Sequence, residues 1–234
     1  MSETPPLRAI VLADGDGPDR AALDARWPDW ARDSALVIAA DGGARLAAPL
    51  GLRIDRWVGD GDSLSLPEIE NLRAAGVPVE LVPADKDESD AELALVAAVR
   101  AGATDLTVLG ALGGPRVDHT LANVALLAHP ALAGRAARLL DATTRVSLVT
   151  GSGEGGRSEA VGFDGRTGDV VSLLPLSPRV EGIVTTGLRY PLRDEALALG
   201  PARGLSNVRT GARATISVRE GRLLVIESPA TLPP

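Results

Sequence analysis

Cysteine is missing from all 234 residues, which excludes disulfides and thiolate metal sites and fits a reducing cytosol. Only two histidines are present, so an imidazole zinc site has little to draw on. Aromatic residues make up 2% of the chain. The core must therefore come from Leu, Val, Ile and Ala, and few rings are available to stack on a flat ligand. Positive charge is also short: 24 Lys and Arg stand against 31 Asp and Glu, for a net charge of -7. No electrostatic footprint for nucleic acid exists, and an anionic ligand must be held by local groups. Long apolar runs are absent as well. The stretch Ala9 to Ala13 stops at Asp14, and Met1 to Ile10 has no basic region ahead of an apolar core, so neither a signal nor a membrane segment is expected. The expectation is a soluble, cytoplasmic protein with small-molecule partners, no nucleic acid and no membrane.

A chain of this length can bury a sizeable core without covalent staples. Its first half alternates short β-branched runs with longer segments of helical spacing, the signature of βαβ units and a parallel sheet. Strands are predicted at Leu7 to Ala13, Ala35 to Ala40, Arg56 to Val58, Val77 to Val82, Asp105 to Leu109 and Ala137 to Leu140. Between them, Leu93, Val96, Ala97 and Arg100 fall at i, i+3, i+4 and i+7, which predicts a helix over Asp90 to Arg100. After about Thr150 the pattern changes. Gly151 to Gly156 reads as a joint, and the remaining chain is made of short runs broken by Gly and Pro, with strands predicted at Val170 to Leu174, Val180 to Thr185, Ala212 to Val218 and Leu223 to Ile226. Arg219-Glu220-Gly221-Arg222 reads as a hairpin turn, and no helix of ten or more residues is expected there. The fold class is therefore α/β: an N-terminal parallel-sheet domain followed by a small β-sandwich or barrel, with the boundary between Leu140 and Gly156, taken as residues 1–145 and 146–234.

Four loops carry acidic and glycine residues, each after a short apolar run: Asp41-Gly42-Gly43, Gly59-Asp60-Gly61-Asp62-Ser63, Asp85 to Asp90, and Gly110 to His119. If the runs are parallel strands, all four gather at one carboxyl edge, where open α/β sheets bind ligands. Asp60 and Asp62, at i and i+2, point to one side of an extended backbone and can reach one hard cation; Mg²⁺ suits such a pair, with phosphate oxygens and water completing its shell. Asp-Gly is also ordinary turn chemistry. Ser89-x-x-Glu92 spells a capping box, yet a helix N-terminus also attracts anions, and Asp90 in its first turn can hold a metal beside a bound phosphate. Lys86 offers a point charge, or is simply solvated surface. Gly110-x-x-Gly113-Gly114 precedes a helix beginning near Val117, so its amides can cradle phosphate, although the Lys-Ser/Thr ending of a P-loop and the dinucleotide fingerprint are both missing. Arg116 suits a bidentate clamp on phosphate, Asp118 can be an N-cap, and His119 reads as a helix-start hydrogen bonder before it reads as a base.

These loops, in this order and spacing, resemble the thiamine pyrophosphokinase family. The matching stretches are Ala40 to Ala44, Gly59 to Ser63, Asp85 to Leu93, Gly110 to His119 with Asn123, Thr186 to Leu192, Ser206-Asn207 and Gly221 to Val225, so the likeness runs from about Val37 to Val225. The resemblance implies an α/β domain for ATP and Mg²⁺, a thiamine-binding β-sandwich, and a homodimer with active sites formed between subunits. It further implies that Asp41, Asp60, Asp62 and Asp90 are the essential acids, with Asp60, Asp62 and Asp90 on the metal and Arg116 as a further catalytic group. Gly42, Gly43, Lys86, Ser89, Gly113, Gly114 and Asp118 would line the nucleotide, and Tyr190, Ser206 and Asn207 would contact thiamine. Ser89 stands where the family usually has threonine, keeping the hydroxyl. Pro115 is an extra residue before Arg116, and Asp14 and Asp16 have no counterpart role. The implied reaction is an in-line attack of the thiamine hydroxyl on the β-phosphorus of ATP, with AMP leaving; Asp62 and Asp90 are the candidate proton acceptors. A related diphosphotransferase with another acceptor and a non-catalytic thiamine or nucleotide sensor are the alternatives.

Overall fold

Runs of Val, Ile, Leu and Ala too short for a helix, most of them followed by Gly or Asp, form the frame that positions the loops. The computed structural model describes residues 6–153, 156 and 158–230; Glu154 and Gly155 of the expected joint, like residues 1–5 and 231–234, lie outside the described residues. The chain divides into two units, 1–142 and 143–234.

In the first unit the strands are β1 (Arg8–Leu12), β2 (Ser34–Ala40), β3 (Arg56–Gly59), β4 (Val79–Leu81), β5 (Asp105–Leu109) and β6 (Ala136–Leu140). They lie in the order β6-β5-β1-β2-β3-β4, every neighbouring pair parallel. The helices are α1 (Arg20–Arg26), α2 (Ala47–Leu50), α3 (Leu66–Ala74), α4 (Asp90–Arg100) and α5 (Val117–Leu126). The order reverses beside β1, so the crevice outside the carboxyl ends of β1 and β5 is the switch point where such sheets take ligands. Buried Ile10, Leu12, Val37, Ala39, Leu50, Trp57, Leu109 and Leu140 share one core. All three tryptophans are buried, and each indole N–H has an acceptor: Trp27 on the Asp141 carbonyl at 2.8 Å, Trp30 on Asp24 at 2.7 Å, and Trp57 on the Asp41 carbonyl at 3.0 Å. Their rings serve packing, which a core otherwise poor in aromatics uses fully.

The second unit contains β7 (Arg145–Thr150), β8 (Val161–Asp164), β9 (Val170–Pro175), β10 (Arg179–Thr186), β11 (Arg193–Ala198), β12 (Asn207–Val208), β13 (Arg213–Ser217) and β14 (Arg222–Ser228), with no helix among the described residues. One layer runs β12-β9-β14-β7 and the other β11-β10-β13-β8, with antiparallel pairing. Val149, Val171, Leu173, Leu223 and Val225 from one layer meet Phe163, Val180, Ile183 and Ile216 from the other, which is the packing of a sandwich. The turn Arg219 to Arg222 is not a hairpin: β13 pairs with β10 and β8, while β14 pairs with β7 and β9. It carries the chain from one layer to the other, so both strands bury an apolar face in the shared core. Gly221, at φ 93°, makes the crossing possible, since a Cβ there would lie 2.7 Å from the Arg179 carbonyl oxygen.

Candidate functional site

β2 delivers Asp41 directly from its last core residue, Ala40, in a backbone conformation with φ 43°. Aspartate tolerates this left-handed region better than most residues, and such strain gathers at functional positions. Asp41 is 3% exposed. Its Oδ2 accepts from the Ser63 amide at 3.2 Å, whereas the buried Oδ1 has no hydrogen-bond partner. Burial raises its pKa, opposed by the hydrogen bonds from Ser63. Gly42 and Gly43 are needed for close approach: a Cβ on Gly43 would stand 2.2 Å from the Leu12 carbonyl oxygen, and one on Gly42 2.2 Å from an Asp14 carboxylate oxygen. The pair seats this turn against the end of β1.

Asp60 and Asp62 converge differently from the extended geometry expected of them. Gly61 turns the chain at φ 79°, and Asp60 Oδ1 accepts from the Asp62 amide at 3.1 Å. Ser63 Oγ donates to Asp62 Oδ1, also at 3.1 Å. One carboxylate oxygen each from Asp41, Asp60 and Asp62 lie within 4.8 Å of one another. An all-oxygen cluster with a desolvated, unsatisfied member suits a hard divalent cation such as Mg²⁺. Arg45, which sequence reasoning passed over, braces the loop: Nη2 donates to the Ser63 carbonyl at 2.7 Å and Nε to Glu68 at 2.7 Å. The Arg45 guanidinium, helped by Ser65, holds the Glu68 carboxyl at about 2. Arginine shortly after an Asp-Gly-Gly turn was the available signal.

Lys86 is no solvated surface lysine. Its Nζ lies 3.1 Å from Asp60 Oδ2 and 3.2 Å from Asp90 Oδ1, with the side chain only 12% exposed. Burial works against its charge, but the two carboxylates outweigh it and raise its pKa. Lys86 in turn lowers the pKa of Asp60. Asp90 is shifted the other way, chiefly by burial, with Lys86 opposing and the charges of Asp60 and Asp62 adding to the rise. Asp90 therefore reaches the cluster through Lys86 and Asp60. Ser89 caps α4, accepting from the Glu92 amide at 3.2 Å. The reciprocal half of the expected capping box is replaced, because the Glu92 carboxylate lies 3.3 Å from His129 Nε2.

After β5, Gly110, Gly113 and Gly114 all have positive φ, at 68°, 90° and 92°. Asp16 and Gly15 of the β1 loop line this turn, and here the unassigned acidic loop finds a structural role. Gly15 donates to the Gly110 carbonyl at 2.8 Å, and Asp16 Oδ2 accepts from the Gly114 amide at 2.8 Å. One amide expected to face phosphate is thus already taken by a carboxylate. Asn123 donates to the Ala111 carbonyl at 3.1 Å, tying the turn to α5. Asp118 is not the N-cap: that position is Arg116, which lacks a side-chain cap, and Asp118 lies in the first turn. Arg116 folds back on Asp118, Nε to Oδ1 at 2.9 Å and Nη2 to Oδ2 at 2.5 Å, and lowers its pKa. Both side chains are 64% exposed, and His119 beside them is exposed too.

In the second unit Tyr190 is 62% exposed, so its ring is not part of the sandwich core. The Arg189 guanidinium lies 5.6 Å from the ring centroid. Buried Asn207 clamps the Tyr190 main chain, its Oδ1 accepting from the Tyr190 amide at 3.0 Å and its Nδ2 donating to the Tyr190 carbonyl at 2.7 Å. Oδ1 also accepts from Val208 at 2.9 Å, so most of the amide's capacity is spent on backbone. Ser206 is exposed at φ 57°, its amide donating to Ser172 Oγ at 3.1 Å. An open hollow of about 530 Å³ is lined by residues 184–188 and 191–194, on either side of Tyr190 in sequence.

A family model described as thiamin pyrophosphokinase, catalytic domain, matches residues 28–138, and one described as thiamin pyrophosphokinase, vitamin B1 binding domain, matches residues 160–223. Thiamine pyrophosphokinase of Bacillus subtilis (strain 168) is 28% identical over 171 residues, spanning 73% of this chain and 76% of that protein. The crystal structure of thiamin pyrophosphokinase from Geobacillus thermodenitrificans is 30% identical, with a TM-score of 0.75 over 95% of this chain and 97% of that one. The Bacillus subtilis crystal structure superposes with a TM-score of 0.78 at 24% identity, over 95% of this chain and 99% of that one, a likeness of fold.

Proposed function

The chain belongs to the thiamine pyrophosphokinase family, and we propose that the acids after β2, β3 and β4 are where it transfers a diphosphate group from ATP to thiamine. The transfer gives thiamine diphosphate and AMP. The observation that carries the assignment is the convergence of Asp41, Asp60 and Asp62 oxygens within 4.8 Å, with Asp41 Oδ1 buried and unsatisfied.

Asp60, Asp62 and Asp90 hold Mg²⁺ in this reading, and Asp41 joins them on the strength of its geometry. Bound there, Mg²⁺ supplies charge neutralisation for the phosphate oxygens. The chain itself has mainly to position and to exclude. Lys86 and Ser89 face the phosphates, with Gly42, Gly43, Gly113 and Gly114 allowing backbone to pass close by. Arg116 clamps the phosphate after exchanging Asp118 for it, an exchange that costs little because the ion pair is exposed and screened by solvent. The thiamine hydroxyl oxygen bonds to the β-phosphorus as the bond from that phosphorus to the AMP oxygen breaks. Asp62 and Asp90 are the two candidate acceptors of the hydroxyl proton.

The thiamine side uses Tyr190, whose exposed ring suits a cationic thiazolium, together with Ser206. Asn207 acts by holding Tyr190 in place. We assign ATP and Mg²⁺ to residues 1–145 and thiamine to residues 146–234, and a cytoplasmic setting suits a chain without cysteine. Among the described residues no helix is long and apolar enough to cross a membrane.

Incubation with thiamine and Mg·ATP, with both products identified by mass, is expected to yield thiamine diphosphate and AMP in equal amounts; binding without AMP would leave only a sensor. In the same assay Tyr190→Ala is expected to raise KM for thiamine roughly 2- to 30-fold, the range of one cation-π contact, with KM for ATP unchanged. An unchanged thiamine KM would remove Tyr190 from the site. We also propose a homodimer with active sites formed between subunits: solution mass should be twice the chain's 24.0 kDa, and a mass of one chain would refute it.

A further inference from the structure

Lys86 is the sole lysine in the chain, the other 23 of its 24 basic side chains being arginine. That one lysine sits where two acids of the catalytic cluster need a cation, Nζ at 3.1 Å from Asp60 and 3.2 Å from Asp90, with the side chain 12% exposed. The choice of side chain carries chemical meaning. At so buried a position a guanidinium would grip the carboxylates through a rigid fork, without the solvent that frees an exposed pair, whereas an ammonium is a compact point charge on a flexible stem. Asp41 Oδ1, buried and without a hydrogen-bond partner, belongs to a residue of the same acidic cluster and is the complementary sign that a cation is still wanted there.

We propose that Lys86 is an internal counter-ion that competes with the divalent metal for Asp60 and Asp90, and gives up that place only when nucleotide phosphates offer it a new partner. This rests on the metal-site reading and adds a function to it. With Lys86 in place the cluster is partly neutralised, so free metal binds weakly. When Mg·ATP enters, the phosphates draw the ammonium away and the freed carboxylate oxygens turn to the metal. Metal and nucleotide then strengthen each other's binding, a coupling that must be reciprocal. The device keeps the carboxylates apart from free divalent ions and keeps them from repelling one another while the site waits for substrate.

Mn²⁺ titration followed by the EPR signal of the free ion, without nucleotide, tests this directly. Lys86→Met is expected to bind Mn²⁺ at least about tenfold more tightly than the natural protein, because a unit positive charge has left the cluster, and a non-hydrolysable ATP analogue should then tighten Mn²⁺ less than it does in the natural protein. Equal or weaker Mn²⁺ binding by Lys86→Met would overturn the proposal. Asp62→Asn separates the two levels of the argument: if it binds Mn²⁺ as well as the natural protein does, the metal site itself is wrong, whereas loss of binding there with no gain in Lys86→Met leaves the site standing and sinks the counter-ion. A second measurement needs no variant. With ¹³Cε-labelled lysine the natural protein gives a single lysine side-chain resonance, which should stay in place with Mg²⁺ alone and move when Mg²⁺ and the ATP analogue are added together. A resonance that does not move with the analogue bound would refute the exchange of partners.

Discussion

Asp62→Asn is expected to lower kcat by about 10²–10⁴-fold, the loss of several kcal/mol of transition-state stabilisation, while unfolding free energy stays within roughly 0.5 kcal/mol of the natural protein's. The two halves have separate causes. Asp62 is exposed, and its side chain accepts a hydrogen bond from Ser63 Oγ at 3.1 Å, which an amide oxygen can accept equally well. Its charge also adds to the rise of the Asp90 pKa, behind the larger effect of burial, so neutralising it relieves repulsion inside the cluster. The fold therefore loses nothing large. Catalysis loses a hard anionic oxygen, and a neutral amide is a poor substitute for carboxylate beside a divalent cation and three phosphates. Steady-state kinetics beside thermal unfolding decide the matter: near-normal turnover removes Asp62 from the metal site, and a large drop in stability means the side chain holds structure instead.

The loops of this site are legible in the sequence because each is a local event, an apolar run that ends in Gly or Asp. The helix α4 is legible for the same reason, its apolar spacing and its Ser89 cap lying within one short stretch. Contact between distant segments is what escapes. Asp16 looks purposeless until its carboxylate is seen on the amide of Gly114, 98 residues away. Lys86 reads as surface until β3 brings Asp60 beside it, and Arg45 draws no notice until its guanidinium meets the Ser63 carbonyl. Asp60 and Asp62 do come together, but through a different geometry, since the positive φ of Gly61 folds what alternation alone would leave extended. In the sandwich, β11 has the sequence Arg-Asp-Glu-Ala-Leu-Ala, poor in β-branched residues; pairing along β10 at the edge of its layer makes it a strand regardless. The turn before β14 carries correct turn chemistry, yet nothing local says whether a turn joins neighbours in one sheet or crosses between two.

The largest effect on stability is expected from Glu227→Gln in β14. Glu227 is 1% exposed and so is Arg209, its ion-pair partner inside the second unit. Arg145 completes the cluster, donating from Nε to Glu227 Oε2 at 2.5 Å and from Nη2 to Oε1 at 2.8 Å. Arg209 also donates to the Phe163 carbonyl at 2.7 Å, and Gly165 lies so close that a Cβ there would stand 2.7 Å from Arg209 Nε. The guanidinium is thus confined and cannot swing out to water when its counter-ion goes. Removing one partner of a buried pair strands a charge, at a cost of about 3–5 kcal/mol, which for a protein of this size lowers the unfolding midpoint by roughly 10 °C. Glutamine keeps the shape but turns an amide N–H₂ toward arginine donors, so packing cannot rescue it. The double variant Arg209→Met with Glu227→Leu should recover much of the loss, because apolar groups of similar volume need no counter-ion. Arg145, 21% exposed and still within 3.1 Å of the Asp164 carbonyl, can meet solvent by itself. Thermal unfolding of the single and double variants distinguishes stranded charge from lost packing: a double variant worse than Glu227→Gln would mean that the side-chain volumes matter there, and the charges do not.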